Sequence, residues 1–129
     1  MPAKPAARFA GHYPYRAAID AYGNGGFRFA DMSHRGSILC LPSGIHGWDV
    51  ARAEDLQPES FTRIFASGGV NFLLLGTGAK QVWPPAGVRQ AFTAAGIGLE
   101  PMDTGAAART YNILLAEKRA VGAALIAVP

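Results

Sequence analysis

Cysteine is almost missing from this chain: Cys40 stands alone among 129 residues. A lone thiol cannot close an internal disulfide, and it gives no sign of an oxidising compartment. Cys40 sits in the apolar run Ser37-Ile38-Leu39-Cys40-Leu41 with no basic neighbour to lower its pKa, so it reads as a small buried hydrophobe. Long apolar runs are missing too, and none approaches the roughly 20 residues that a membrane-spanning helix needs. The first ten residues carry Pro2, Lys4, Pro5 and Arg8 among alanines and lack the apolar centre of a secretory signal. Residues 1–12 are expected to form a loose tail, and the cytoplasm is the expected location. Charge is scarce at 16% of residues while half are hydrophobic, which argues for a compact body and against disorder. The net charge is +3 and the pI about 9.4, but Arg28, Arg35, Arg52, Arg63, Arg89, Arg109 and Arg119 are scattered. Without a basic stripe or a recognisable module, nucleic-acid binding is not expected. His12, His34 and His46 lack metal-ligand spacing, so neither a metal nor a cofactor is expected.

What is present suits one domain with a single proper core, spanning 1–129. The character of the pattern changes near the middle. Up to about Val50, short extended runs alternate with glycine-rich breaks, as in a β-meander. Ala17–Tyr22 is one such run. Gly23-Asn24-Gly25-Gly26 signals a turn because glycine and asparagine tolerate positive φ. Phe27-Arg28-Phe29 alternates like a half-buried strand, Ser33-His34-Arg35-Gly36 reads as a second turn, and Ser37–Leu41 reads as a buried strand that Pro42-Ser43-Gly44 stops.

After about Leu56, helix and strand alternate. Pro58 suits a first helical position, Phe61, Ile64 and Phe65 share one face, and Gly68-Gly69 allows a left-handed end. Val70–Leu75 reads as a central strand covered on both faces. Pro84 and Pro85 open a second helix whose apolar face is Val88, Ala91, Phe92 and Ala95, and Gly96 closes it. A short strand, Ile97–Glu100, follows. Asp103 or Thr104 caps a third helix, with Ala107, Ala108, Tyr111, Leu114 and Leu115 on one face and Lys118 and Arg119 at its end. Val121–Val128 is a last apolar strand. Parallel strands require such crossovers, so the expected fold is a three-layer α/β domain: an N-terminal β-meander followed by β-α-β-α-β on a mixed central sheet.

The candidate chemistry gathers where the central strand runs into Gly76-Thr77-Gly78. The carboxyl edge of an open α/β sheet is where ligands bind, and backbone N–H groups there could cradle an anion. The match to known cradles is poor. Gln81 stands where a dinucleotide fingerprint needs its third glycine, and it follows Lys80 where a P-loop needs Ser or Thr. A tight strand exit is the plainer alternative. Thr104, Thr110, Asn112, Glu117 and Arg119 on the third helix could line a shared cleft with Gly76, Thr77 and Gly78. Asn112 is a poor mid-helix residue and points to a specific hydrogen-bonding task, either at a ligand or in tying the helix to a neighbouring loop. His46 and Trp48 lie in a glycine-rich stretch, Ser43–Asp49, which could present a partner surface or pack Trp48 on the core. No residue set specifies a reaction, and Ser43 lacks the nucleophile-elbow pattern.

Several pieces in order carry a family resemblance over nearly the whole chain from about Ile19. They are Leu73-Leu74-Leu75-Gly76-Thr77-Gly78, Gly96 with Ile97, Met102-Asp103-Thr104, Ala107, Thr110-Tyr111-Asn112 with Leu114, and Glu117-Lys118-Arg119-Ala120-Val121. The chain resembles a domain family of unknown function found in bacteria and archaea, in mitochondrial respiratory complex I assembly factor 3 and in adipogenesis-associated domain proteins. That resemblance implies a three-layer α/β fold, no established enzyme activity and a role with protein partners in assembling a membrane-bound complex. The expected function is therefore a non-enzymatic assembly or interaction factor. The alternative is a small-molecule or anion binder, or an uncharacterised enzyme, with its cleft at Gly76–Gly78. Oligomeric state is not legible.

Overall fold

The computed structural model describes residues 7, 8 and 11–129. In chain order the strands of the first half are β1 (Ala7–Arg8), β2 (His12–Tyr13), β3 (Ala21–Gly23), β4 (Gly26–Phe29), β5 (Met32–Arg35), β6 (Ser37–Leu41) and β7 (Gly44–Trp48). Two short 3-10 turns, Ala53–Asp55 and Pro58–Phe61, lead into α1 (Thr62–Ser67). Then come β8 (Phe72–Gly76), α2 (Ala86–Ala95), β9 (Gly98–Met102), α3 (Thr104–Ala116) and β10 (Val121–Leu125). Of the expected loose tail, residues 1–6, 9 and 10 lie outside the described residues, whereas Ala7–Arg8 pairs with β5 and His12 pairs with His46.

The strands form two sheets. A large mixed sheet runs β2-β7-β6-β10-β8-β9, with β10, β8 and β9 parallel and the remaining pairs antiparallel. A smaller sheet runs β1-β5-β4-β3. The meander thus does two things at once. Its last hairpin, β6–β7, extends the central sheet, while β3–β5 fold over one face. Gly36, at φ 107, turns the chain from the small sheet into the large one.

Period-two alternation sorts the side chains of the large sheet between two cores. Leu39, Leu41, Leu73, Leu75 and Ala124 face Phe61, Ile64, Val88 and Phe92, so the α1 and α2 layer covers that side. Ile38, Cys40, Leu74, Ala123 and Leu125 face Phe27, Phe29, Ala107, Ala108 and Tyr111, so α3 and the small sheet cover the other. The result is three layers around a mixed sheet, as the alternation of elements requires.

The turns show where local signals were strong and where they were faint. Asn24 and Gly25 take φ 52 and 80, the paired positive values of a two-residue hairpin turn. Ala30 and Asp31 take φ 49 and 61 and turn the next hairpin the same way. The turn expected at Ser33–Gly36 is therefore mostly strand β5. Alanine carries no turn signal, and the hairpin is imposed by pairing Phe29 with Met32. The first-helix expectation at Pro58 resolves into a 3-10 turn that tightens into α1, and Gly68 ends it at φ 68. Pro85 caps α2 and Gly96 closes it at φ 70. Ala95, expected on the apolar face, is exposed.

Strand β9 is an edge. Gly98 N–H bonds inward to Asn71 O, so by alternation the outward groups belong to Leu99 and Pro101. Pro101 has no N–H to offer, and its carbonyl accepts from Gln81 Nε2 at 2.9 Å. A proline and a side-chain cap thus blunt this edge.

Candidate functional site

The chain leaves β8 toward α2 on one face and leaves β9 toward α3 on the other. Between two such exits an open α/β sheet has its ligand crevice. Gly76, Thr77, Gly78 and Thr104 meet there, as the sequence suggested, but they fill the space themselves. Thr104 is fully buried; its hydroxyl donates to Ile126 O at 2.7 Å and accepts from Gly78 N–H at 2.9 Å. Its own N–H donates to Gly78 O at 2.8 Å, and Ile126 N–H donates to Gly76 O at 2.9 Å. Thr77, also buried, donates from its N–H to Met102 O and from its hydroxyl to Lys80 O at 2.6 Å, and accepts from Val82 N–H at 3.0 Å. The exits of β8, β9 and β10 are tied to one another by these two threonines. Gly76 is required by this closeness: a Cβ there would lie 2.9 Å from Thr104 Oγ1 and 3.1 Å from Leu125 Cδ2. The geometry is that of a knot, with backbone donors aimed at backbone acceptors.

The remaining candidates are spread along α3, which Asp103 starts by accepting from Ala106 N–H. At about 1.5 Å rise per residue, Arg119 lies on the order of 20 Å along the chain axis from Thr104. Thr110 is half-buried partway along. Asn112 is committed to the backbone of Ile19: its Oδ1 accepts from Ile19 N–H and its Nδ2 donates to Ile19 O, both at 2.8 Å. The amide therefore imitates a strand partner and straps the segment before β3 onto α3. Glu117 closes the helix and is exposed. Arg119 belongs to the opposite end of the sheet, beside Arg16, Pro42, Gly69 and Lys118. The eight residues named for one cleft thus occupy three places, because α3 runs the length of the strands rather than lying across their ends.

His46 and Trp48 are corrected in setting. Ser43–Asp49 is mostly strand β7 rather than a loop, and both side chains are buried. Trp48, 7% exposed, donates from Nε1 to Ser60 O at 2.8 Å and packs on Phe61. His46 stacks on His12 with ring centroids 4.3 Å apart, and its Nε2 bonds the Ser43 hydroxyl at 2.8 Å. Burial, then the neighbouring His12 and Arg63, push its pKa down to about 4, so the ring is neutral near pH 7. Burial pushes the Cys40 thiol up to about 12, which leaves it unreactive. Trp83, at 68%, is exposed in the stretch Trp83-Pro84-Pro85, as are Tyr15 and Tyr22 elsewhere. Among the described residues no group of His, Cys, Asp and Glu is arranged to hold a metal. No described helix is long and apolar enough to cross a membrane.

A three-layer domain with a closed switch point defines the class of protein. The chain belongs to the family of proteins of unknown function DUF498/DUF598, which it matches over residues 19–126. A crystal structure of an outer membrane protein from Bartonella henselae superimposes with a TM-score of 0.87 at 52% identity, covering 92% of this chain and all of that one. An uncharacterized protein of Rhodobacter capsulatus is 40% identical over 125 residues, 94% of this chain and 90% of its own length. NADH dehydrogenase [ubiquinone] 1 alpha subcomplex assembly factor 3 of Mus musculus is 33% identical over 118 residues, 91% of this chain. The chain spans 64% of that mouse protein's length.

Proposed function

We propose that this chain is a non-enzymatic interaction factor that works with protein partners in assembling a respiratory membrane complex. The observation that carries the proposal is the 33% identity to the mouse assembly factor across nearly the whole chain. The closed strand exits support it: Thr77 and Thr104, which an enzyme or binder of this architecture would turn toward a ligand, are spent on Gly78, Lys80, Met102 and Ile126. A cytoplasmic location belongs to the same proposal, and fractionation of the host tests it. The decisive experiment joins gentle affinity purification of the tagged chain with deletion of its gene, following assembled NADH dehydrogenase on native gels. Co-purification of subunits of that complex, together with a deficit in the deletion strain, is the expected result. Recovery of no partner above background and an unchanged complex would refute it.

A further inference from the structure

A hollow lies at the end of the sheet away from the threonine knot. It encloses about 340 Å³ and is lined by Arg16, Pro42, Gly69, Leu115, Lys118, Arg119 and Ala120. Three of these seven residues are cations and none is an acid. Unneutralised cations gathered on one concavity raise the local potential and favour an anion.

Three features show how the hollow is built. The first is the end of α3, whose open carbonyls would ordinarily repel an anion. Here Arg119 N–H bonds Leu114 O and Lys118 N–H bonds Leu115 O, so a closing turn consumes them. The second is Lys118, which holds φ 59 at the position where helices usually place glycine. A lysine kept in that unfavourable conformation brings its charge to the rim. The third is Arg16, backed by the buried Tyr111 and anchored by a bond from Nη1 to Val121 O at 3.2 Å, which leaves other donors of its fork for a ligand. Gly69 keeps the floor open, because a Cβ there would come within 3.3 Å of Pro42 Cγ.

We propose that this hollow binds a phosphomonoester group, clamped by Arg16, Lys118 and Arg119. Two guanidinium forks and an ammonium match the charge and the three terminal oxygens of a phosphate dianion better than those of a carboxylate. Leu115 and Pro42 offer apolar wall to a small carbon stem. The phosphate could belong to a soluble metabolite or to a lipid headgroup such as phosphatidic acid. The site stands independently of the partner-based function.

The test is an amide NMR titration at low salt with inorganic phosphate, and with acetate as the carboxylate control. Saturable shifts are expected at Gly69, Leu115, Lys118, Arg119 and Ala120 with phosphate, with acetate at least ~10-fold weaker. Arg16→Gln and Arg119→Gln should each weaken phosphate roughly 10-fold, the loss of one charge-assisted bond. Lys118→Gly guards against misfolding, because glycine suits the left-handed backbone: its spectrum should remain folded while affinity falls at least ~3-fold. Vesicles separate the sources. Retention on phosphatidic acid but not on phosphatidylserine of equal charge, abolished by Lys118→Gly, assigns the phosphate to lipid. Equal binding of acetate and phosphate would overturn the proposal. So would phosphate binding that Lys118→Gly and Arg119→Gln leave unchanged, or the lack of both saturable shifts and phosphatidic acid preference.

Discussion

Asn112 offers the sharpest test of how this domain is held together. Its amide replaces a missing strand, satisfying both the N–H and the C=O of buried Ile19 at 2.8 Å each. Asn112→Ala removes both bonds. Each buried backbone group left without a partner costs about 1–3 kcal/mol. Alanine's better helix propensity returns about 0.5 kcal/mol, and water reaches the half-buried site in part. The expected net loss is about 2–4 kcal/mol, or a fall of roughly 10 °C in Tm for a chain of this size. Asn112→Asp then separates the two bonds. An ionised aspartate still accepts from Ile19 N–H, but its other oxygen meets the Ile19 carbonyl with no proton between them. A protonated aspartate donates there and restores the pair, so its folded pKa must rise above the unfolded value of about 3.9. Stability contributed by a raised pKa is fully present below the unfolded value and is lost as pH rises through the folded one. Urea denaturation of the Asp variant, referenced to the parent at each pH, should therefore show near-parental stability at about pH 3–4 and a deficit at about pH 7. The m-value should not change, because the same surface is exposed on unfolding. An alanine variant within about 0.5 kcal/mol of the parent would refute the strap. So would an Asp variant whose deficit does not depend on pH.

Other expectations follow from the two cores and the knot. Thr104→Val keeps the shape but strands Gly78 N–H and Ile126 O, and should cost about 2–4 kcal/mol by chemical denaturation. Gly76→Ala drives a methyl against Thr104 and Leu125 and should cost about 1–3 kcal/mol by chemical denaturation. His46 titrates near 4 when folded against an ordinary 6.5, so the unfolded chain takes up the proton first and stability falls as pH drops from 6.5 toward 4. That fall reaches up to about 3 kcal/mol, and His46→Gln should flatten it in pH-resolved melts.

Much of the second half was legible because its signals are local and agree with one another. Leu73, Leu74 and Leu75 are all buried, alternating between the two cores, as an apolar run bounded by glycines suggests. Asp103, Gly96 and the Ala107–Tyr111 face did what their residue types favour. The first half was less transparent because sheet membership is a matter of distant pairing. Only Asp31 hints at the hairpin beside Ala30, and nothing near Gly36 announces that the chain changes sheets. The candidate cleft shows a different limit. Threonine, asparagine and glycine clustered at strand ends suit a ligand, but they equally suit backbone groups from the same chain. Only the partners tell the two apart: Ile126 for Thr104, Lys80 for Thr77, Ile19 for Asn112. The hollow near Arg16 was invisible because its residues are drawn from four separate segments.

The proline within β9 has a consequence for how this molecule meets others. A neighbouring chain that tried to continue the ladder along that margin would find one donor gone and one acceptor already taken by Gln81. Growth by strand addition is thereby discouraged on that flank, and fibrous stacking with it. Recognition along β9 must be written in side chains, where specificity is easier to encode than in a bare peptide rail.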